Sequence, residues 1–189
     1  MRDLPEGYSI TPALREDIPA LIAADKAASA LFAPTGLIKP AALDDQVPAQ
    51  VFEAAIASGY VFAAREAAGA VGFILTSQRG TGLYLDQVSV HPEHGQKGLG
   101  RALVIRILSD AEDRRLPHVS LSTFRDLAWN GPFYASLGFR EMPHTKLEDF
   151  MYEIEAAQRP HMDVSARCFM RRKVRRRLFV FKRARQERI

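Results

Sequence analysis

Apolar residues follow two different periods along this chain, and the changeover falls at a run of glycines. Tyr60-Val61-Phe62-Ala63-Ala64 and Val71-Gly72-Phe73-Ile74-Leu75 are β-rich runs separated by Arg65 to Ala70, and they predict an antiparallel hairpin. Leu83 to Val90 predicts the next strand, apolar on both faces except at Asp86, Gln87 and Ser89, which is the pattern of a buried central strand. Polar residues inside such a strand need partners or a job. Beyond a Pro/Gly-rich turn the period becomes helical. Leu103, Val104, Ile107, Leu108 and Ala111 fall on one face of a helix, with Arg106, Asp110, Asp113 and Arg114 elsewhere. Leu116-Pro117 ends that helix, and Val119 to Phe124 predicts a strand parallel to the previous one through a right-handed crossover.

The flanks are read the same way. Tyr8-Ser9-Ile10 predicts a first strand, followed by an apolar helix through about Ala30 that Thr11 or Asp17 is placed to cap. Pro34, Pro40 and Pro48 predict loop with a short helical piece from Leu31 to Pro48, and a second helix runs on to Ser58, stopped by Gly59. Downstream, Gly131 to Leu137 predicts a short helix, Phe139 to Met142 the start of a strand, Glu148 to Gln158 a helix and Arg167 to Val174 a final strand. No internal repeat is visible.

A chain of 189 residues with 47% hydrophobic and 25% charged residues suits one ordinary globular domain with a short appendage. No apolar run approaches the length of a membrane span and no signal-peptide pattern is present, so the expectation is a cytoplasmic protein without membrane insertion. The single cysteine, Cys168, has no partner for an internal disulfide and reads as a buried strand residue. The formal charge of +4 hides an asymmetry: residues 1 to 166 sum to −6, while the stretch from Arg167 onward sums to +10. An acidic body attracts cationic amines by its field, although solubility alone also accounts for it.

The glycines Gly95, Gly98 and Gly100 stand where the central strand hands over to the helix, so backbone N–H groups can converge there as an anion cradle. The dinucleotide fingerprint and the Walker loop are both absent. The stretch resembles the pyrophosphate loop of GNAT-type N-acetyltransferases, [QR]-x-x-G-x-[GA] after a strand ending V-x-V-x-P, here Val88, Val90 and Pro92 followed by Gly95, Gln96, Lys97, Gly98, Leu99 and Gly100. The first loop position is Gly95 in place of Gln or Arg, with Gln96 next door. A second signature follows in family order: FYASLGF from Phe133 to Phe139 matches the pattern F-Y-x-x-x-G-F of the same family.

The resemblance covers roughly Tyr8 to Val174 and implies an α/β (α+β) fold, with a mixed, mostly antiparallel sheet splayed in its middle and helices on both faces. It implies acetyl-CoA as co-substrate, held by backbone groups of Val88, Ser89 and Val90, by the loop from Gly95 to Gly100 with Arg101, and by Asn130, which also stands where it would cap the short helix. It implies Tyr134 as the proton donor to the departing thiolate. Asp86 is the preferred base or amine-positioning residue, because LYLDQVSV looks like the LYLED stretch of polyamine acetyltransferases; a buried Asp satisfied by hydroxyls or Arg is the alternative. Gln87 departs from the second acid of that stretch, and His118 and Asp126 are further base candidates.

The expected reaction is direct transfer to a primary amine, with a small molecule as acceptor if the segment from Leu31 to Pro48 forms a lid. A protein lysine or N-terminal amine, and a non-catalytic acyl-CoA-binding module, are the alternatives. The five histidines lack zinc-site spacing, so no metal is expected. The domain is assigned to residues 1–174 and a basic extension to 175–189. Limited aromatic interleaving argues against nucleic acid as partner while the basic tail leaves it open, and the family resemblance is compatible with a homodimer.

Overall fold

The structure, a computed structural model, describes residues 4–174. The basic extension expected at 175–189 lies outside the described residues. Strand β1 (Ser9–Pro12) leads into helix α1 (Ile18–Ser29), and two short 3-10 turns follow, Ala30–Thr35 and Pro40–Ala42. Helix α2 (Ala49–Ala57) precedes β2 (Val61–Glu66), β3 (Gly69–Arg79) and β4 (Gly82–Val90). Then come α3 (Leu99–Asp113), β5 (His118–Phe124), α4 (Gly131–Ser136), β6 (Arg140–Glu141), α5 (Asp149–Gln158) and β7 (Arg167–Lys173).

The seven strands form one sheet in the order β1-β2-β3-β4-β5-β7-β6. Every neighbouring pair is antiparallel except β4 and β5, which the crossover helix α3 joins in parallel, as expected. That pairing is short. Only Leu83 to Leu85 face Val119 to Leu121, after which β4 runs on to Val90 and β5 to Phe124 without each other. The sheet is therefore split in its middle, at the C-terminal ends of its two central strands.

Apolar alternation puts a core on each face of the sheet. Phe62, Ile74 and Leu85 pack against Leu103, Val104 and Ile107 of α3 on one face, and Tyr134 of α4 and Leu137 just after it join them. On the other, Val61, Phe73 and Leu75 pack against Leu21 of α1 and Phe52 of α2, with the Phe52 and Phe73 rings 4.9 Å apart edge to face. Tyr84 and Phe169 add a smaller cluster under Met151 of α5.

The helix start at α1 differs from expectation. Asp17 occupies the N-cap position, yet its carboxylate does not cap α1; it accepts from the Leu14 backbone N–H at 2.6 Å and pairs with Arg65 across the sheet. With Asp17 buried, the guanidinium on β2 offsets the cost of that charge.

Candidate active site

A bulge in β4 organises the site. Leu75 pairs with Gln87 but Thr76 pairs with Leu85, so Asp86 is an extra residue with no partner across the ladder. An extra residue reverses the alternation beyond it. Leu83 and Leu85 before the bulge and Val88 and Val90 after it all turn to the α3 side, while Gln87 and Ser89 turn to the α1 side. The bulge coincides with the point where β4 leaves β5, so the free edge of Val88, Ser89 and Val90 borders the split, their other edge being paired with β3.

Asp86 was expected to be buried; its side chain is exposed at the bulge. Crowding by protein raises its carboxyl pKa above the ordinary value, while the Ser77 hydroxyl and Arg79 act in the lowering direction. Water reaches this carboxylate and screens part of the effect. His118 lies at the opposite, N-terminal end of β5, where β4 and β5 still adjoin, which removes it from the split as a base.

The glycine loop is built to leave backbone donors free. His94 and Gly95 close a 3-10 turn by donating to His91 and Pro92 carbonyls, each at 2.9 Å, and Gln96 and Gly98 then take positive φ of 58° and 86° before α3 begins. Ala102 is the first residue of the new helix to donate backward, to the Gly98 carbonyl at 3.0 Å. Among the described residues, no acceptor meets the backbone N–H of any residue from Gln96 to Arg101. Six consecutive donors at a helix N-terminus fit a pyrophosphate. Gly95 is a correction to the expected set: its N–H is already used, and its glycine is explained by packing, since a Cβ there would stand 2.9 Å from the Pro92 carbonyl.

The side chains of this loop brace it. Lys97 Nζ donates to the Tyr8 hydroxyl at 2.8 Å, which also contacts His94 Nδ1 at 2.9 Å. Arg101 donates to Ser136 Oγ at 2.9 Å and so ties α3 to α4, while Leu99 is buried in the core. His91, Glu93 and His94 bring potential metal-ligand atoms within 4.8 Å of one another, a cluster the histidine spacing did not suggest. Both rings are already engaged, His91 by the Glu93 N–H and His94 by Tyr8.

Tyr134 sits on α4 at the α3 face, its ring 5.1 Å from Phe133 and 5.8 Å from Phe139, both edge to face. Burial pushes its phenol pKa up, with Arg167 acting the other way. No group among the described residues hydrogen-bonds its hydroxyl. Asn130 does not cap α4 with its side chain, contrary to expectation; its backbone carbonyl accepts from the Tyr134 N–H at 3.0 Å. Gly131 fixes where α4 starts, because a Cβ there would fall 2.1 Å from the Arg125 carbonyl oxygen. Gly131→Ala is expected to lower stability by about 1–3 kcal/mol, the cost of overpacking, and to displace Tyr134; a denaturant midpoint and an acetyl-transfer rate measure the two effects.

Two charged residues at the site went unnoticed in the sequence. Arg167, at the start of β7, donates to the Ser122 hydroxyl and carbonyl at 3.1 and 2.9 Å and lies over the Phe124 ring; its field acts on both Tyr84 and Tyr134. Asp25, on α1, is 2% exposed and accepts from Ser89 Oγ at 2.7 Å, Gln87 Nε2 at 2.8 Å and the Val47 N–H at 3.0 Å. Its signal was present: Asp25 falls four residues after Leu21, on the apolar stripe of α1. Asp25→Ala would strand all three donors and is expected to cost about 2–4 kcal/mol in a chemical denaturation midpoint.

The segment between α1 and α2 forms a lid. Its N-terminal part packs Phe32 against Phe124 and Trp129, with ring centroids 5.8 and 6.2 Å apart. Its middle is pinned by Lys39 N–H to the His161 carbonyl and Asp163 N–H to the Leu37 carbonyl, both at 2.9 Å, and its end by Val47 to Asp25.

Residues 57–141 match the family model described as the acetyltransferase (GNAT) domain, a span that holds every site residue expected from the sequence, while Asp25 and Arg167 lie outside it. The fold is that of solved N-acetyltransferases. The ribosomal-protein-S18-alanine N-acetyltransferase of Escherichia coli superposes with a TM-score of 0.62 at 17% identity, covering 88% of this chain and 94% of that one. The PaiA N-acetyltransferase of Thermoplasma acidophilum in complex with coenzyme A gives 0.67 at 14% identity, covering 88% and 98%. The N-acetylglutamate synthase of Neisseria gonorrhoeae, complexed with coenzyme A and N-acetyl-glutamate, gives 0.67 at 15% over 89% of this chain, which spans only 35% of that protein. The match over residues 57–141 is to an acyltransferase domain. Residues 57–141 thus carry the signature of the acetyltransferase (GNAT) domain, set in the fold that solved N-acetyltransferases share. Among the described residues no helix is long and apolar enough to cross a membrane.

Proposed function

We propose that this chain moves the acetyl group of acetyl-CoA to a primary amine of a small molecule by direct transfer in a ternary complex. The observation that carries this reading is the coincidence, at one end of the split sheet, of six free N–H groups, an unpaired strand edge and a lid. When bound, acetyl-CoA supplies the thioester carbonyl and a thiol leaving group. The N–H groups from Gln96 to Arg101 hold its pyrophosphate, and the free edge of Val88, Ser89 and Val90 holds the arm and the carbonyl oxygen. Asn130 flanks the same space from the head of α4.

Amines are mostly protonated near neutral pH. Asp86, open to water at the bulge, takes the surplus proton directly or through a water molecule. Tyr134 holds a proton for the departing sulfur, and Arg167 favours the phenolate left behind. Proton loss at the amine and proton gain at the sulfur thus fall to different residues.

The pinned lid supports a small acceptor, since it spans the mouth of the split from α1 to the end of β5. A protein N-terminus is the second reading, supported by Leu31 and Trp129 at the lid, both 48% exposed, and by the Escherichia coli relative, which is named for an alanine of a ribosomal protein. Thiol release from acetyl-CoA against free amines and against peptides separates them. Turnover confined to free amines is expected; turnover confined to peptides would reverse the order of the two readings.

A further inference from the structure

The turn that feeds the glycine loop gathers side chains that the transfer reaction does not use. His91 is the N-cap of the 3-10 turn Pro92–His94, and with three residues per turn the side chains at i and i+3 eclipse. His91 and His94 therefore stand on one side of the turn, their ring centroids 6.1 Å apart. Glu93 joins them: one ligand atom from each of the three residues falls within 4.8 Å of the other two. Each ring meets a partner within the protein only through Nδ1. His94 Nδ1 faces two oxygens, the Tyr8 hydroxyl at 2.9 Å and a Glu66 carboxylate oxygen at 3.7 Å. Lys97 donates to the same hydroxyl, which keeps a second lone pair for an N–H. A ring nitrogen facing two oxygens, one of them anionic, carries the proton, so the free lone pair of His94 is on Nε2. His91 Nδ1 accepts from the Glu93 N–H at 3.4 Å, a long contact in an exposed turn, and an ion taking that nitrogen releases the N–H to water.

We propose that His91, Glu93 and His94 bind a divalent transition-metal ion of the zinc class, with water completing its coordination. Two imidazoles and a carboxylate are a donor set that zinc, nickel and copper take, whereas magnesium and calcium select oxygens. Ligands about 2.0–2.2 Å from a tetrahedral zinc lie about 3.3 Å or slightly more from one another. The three side chains close to that spacing by rotation, and Glu93, 83% exposed, is unhindered in doing so. His94 is the anchor, 17% exposed and oriented from behind by Tyr8 and Glu66, the kind of outer support that fixes a ligating imidazole. Neither Glu66 nor Glu93 pairs with a lysine or arginine among the described residues, so both carboxylates offset the charge of the ion. The site ends two residues before Gln96, the first of the free N–H donors, so the ion braces the entry to the cofactor loop. It takes no part in acetyl transfer and its binding depends on no acceptor.

Calorimetric titration of the full chain, free of any affinity tag, with zinc chloride reads the site without requiring turnover. One zinc ion per chain is expected, removed by EDTA, with magnesium chloride giving no binding at the same concentrations. Tyr8→Phe keeps the ring and removes only the hydroxyl behind His94, and should weaken zinc by about tenfold. Removing a ligand, as in His91→Ala, His94→Ala or Glu93→Gln, should weaken it by at least as much. His144→Ala and His161→Ala, at exposed histidines elsewhere, should leave the affinity unchanged. Circular dichroism shows whether each variant folds, and Glu93→Gln, at an exposed side chain, carries the test if a histidine variant does not. Failure of the unaltered chain to bind zinc overturns the proposal. So does zinc affinity that Glu93→Gln and a folded His91→Ala/His94→Ala double variant leave unchanged, since the ion would then be held elsewhere.

Discussion

Replacing Tyr134 by phenylalanine is expected to lower the acetyl-transfer rate by about 10²–10⁴-fold, the usual contribution of a positioned general acid, with acetyl-CoA affinity unchanged. The side chain is buried between Phe133 and Phe139 and its ring is retained in the variant, so packing changes little. Its hydroxyl has no partner among the described residues, so removing it strands no donor or acceptor. A pH dependence accompanies this. Burial raises the phenol pKa in the folded protein, so the proton stays bound beyond the ordinary value of about 10. The rate should therefore rise as the amine loses its proton and show no fall from Tyr134 below about pH 10. Stopped-flow or steady-state thiol release over pH gives the profile, and an unchanged rate in Tyr134→Phe would remove the assigned role.

Gly98→Val is expected to weaken acetyl-CoA binding by about tenfold to a hundredfold. Gly98 has φ of 86° at the N-cap of α3, with nothing within 4 Å of a Cβ built there, so the constraint is backbone conformation and not space. A β-branched residue in that region costs roughly 1–2 kcal/mol or more. The loop either bears that strain or relaxes to negative φ, which turns the following N–H groups away from a common point. Calorimetry with acetyl-CoA measures the loss. Gly100 provides the contrast, because a Cβ there meets only Phe133 at 3.9 Å, ordinary contact.

Much of this architecture was legible in the residues, and the exceptions have physical causes. Strand and helix periods placed β2 through β5 and α3 to within a few residues, because each of these elements buries one or both faces and its apolar pattern follows. FYASLGF and the glycine loop located Tyr134 and the free donors because backbone geometry depends on local sequence. The Asp86 bulge was not legible: in an unbroken strand Leu85 and Val88 face opposite ways, and only pairing with β3 shows the extra residue. The same bulge exposes Asp86 and sends Gln87 and Ser89 to α1. Asp25 and Arg167 act over separations of 62 and 45 residues, on Gln87 and Ser122 respectively, which no local window reaches. Asn130 failed as a side-chain cap because Gly131 presses α4 against the Arg125 carbonyl and the Asn130 backbone takes an unusual φ of −121° with ψ of −105°.

The remaining rival to an enzyme is a protein that binds acetyl-CoA and transfers nothing. Six N–H groups free among the described residues suit either, whereas the roles proposed for Tyr134 and Asp86 have a use only in transfer. Incubation with acetyl-CoA labelled in its acetyl group, together with a mixture of amino amides, alkyl amines and short peptides, followed by mass spectrometry of the amines, tests the difference directly. The account predicts label in an amide on one class of amine, with one CoA thiol released for each amide formed. Tight binding of acetyl-CoA with no label leaving it, across the whole mixture, would contradict it.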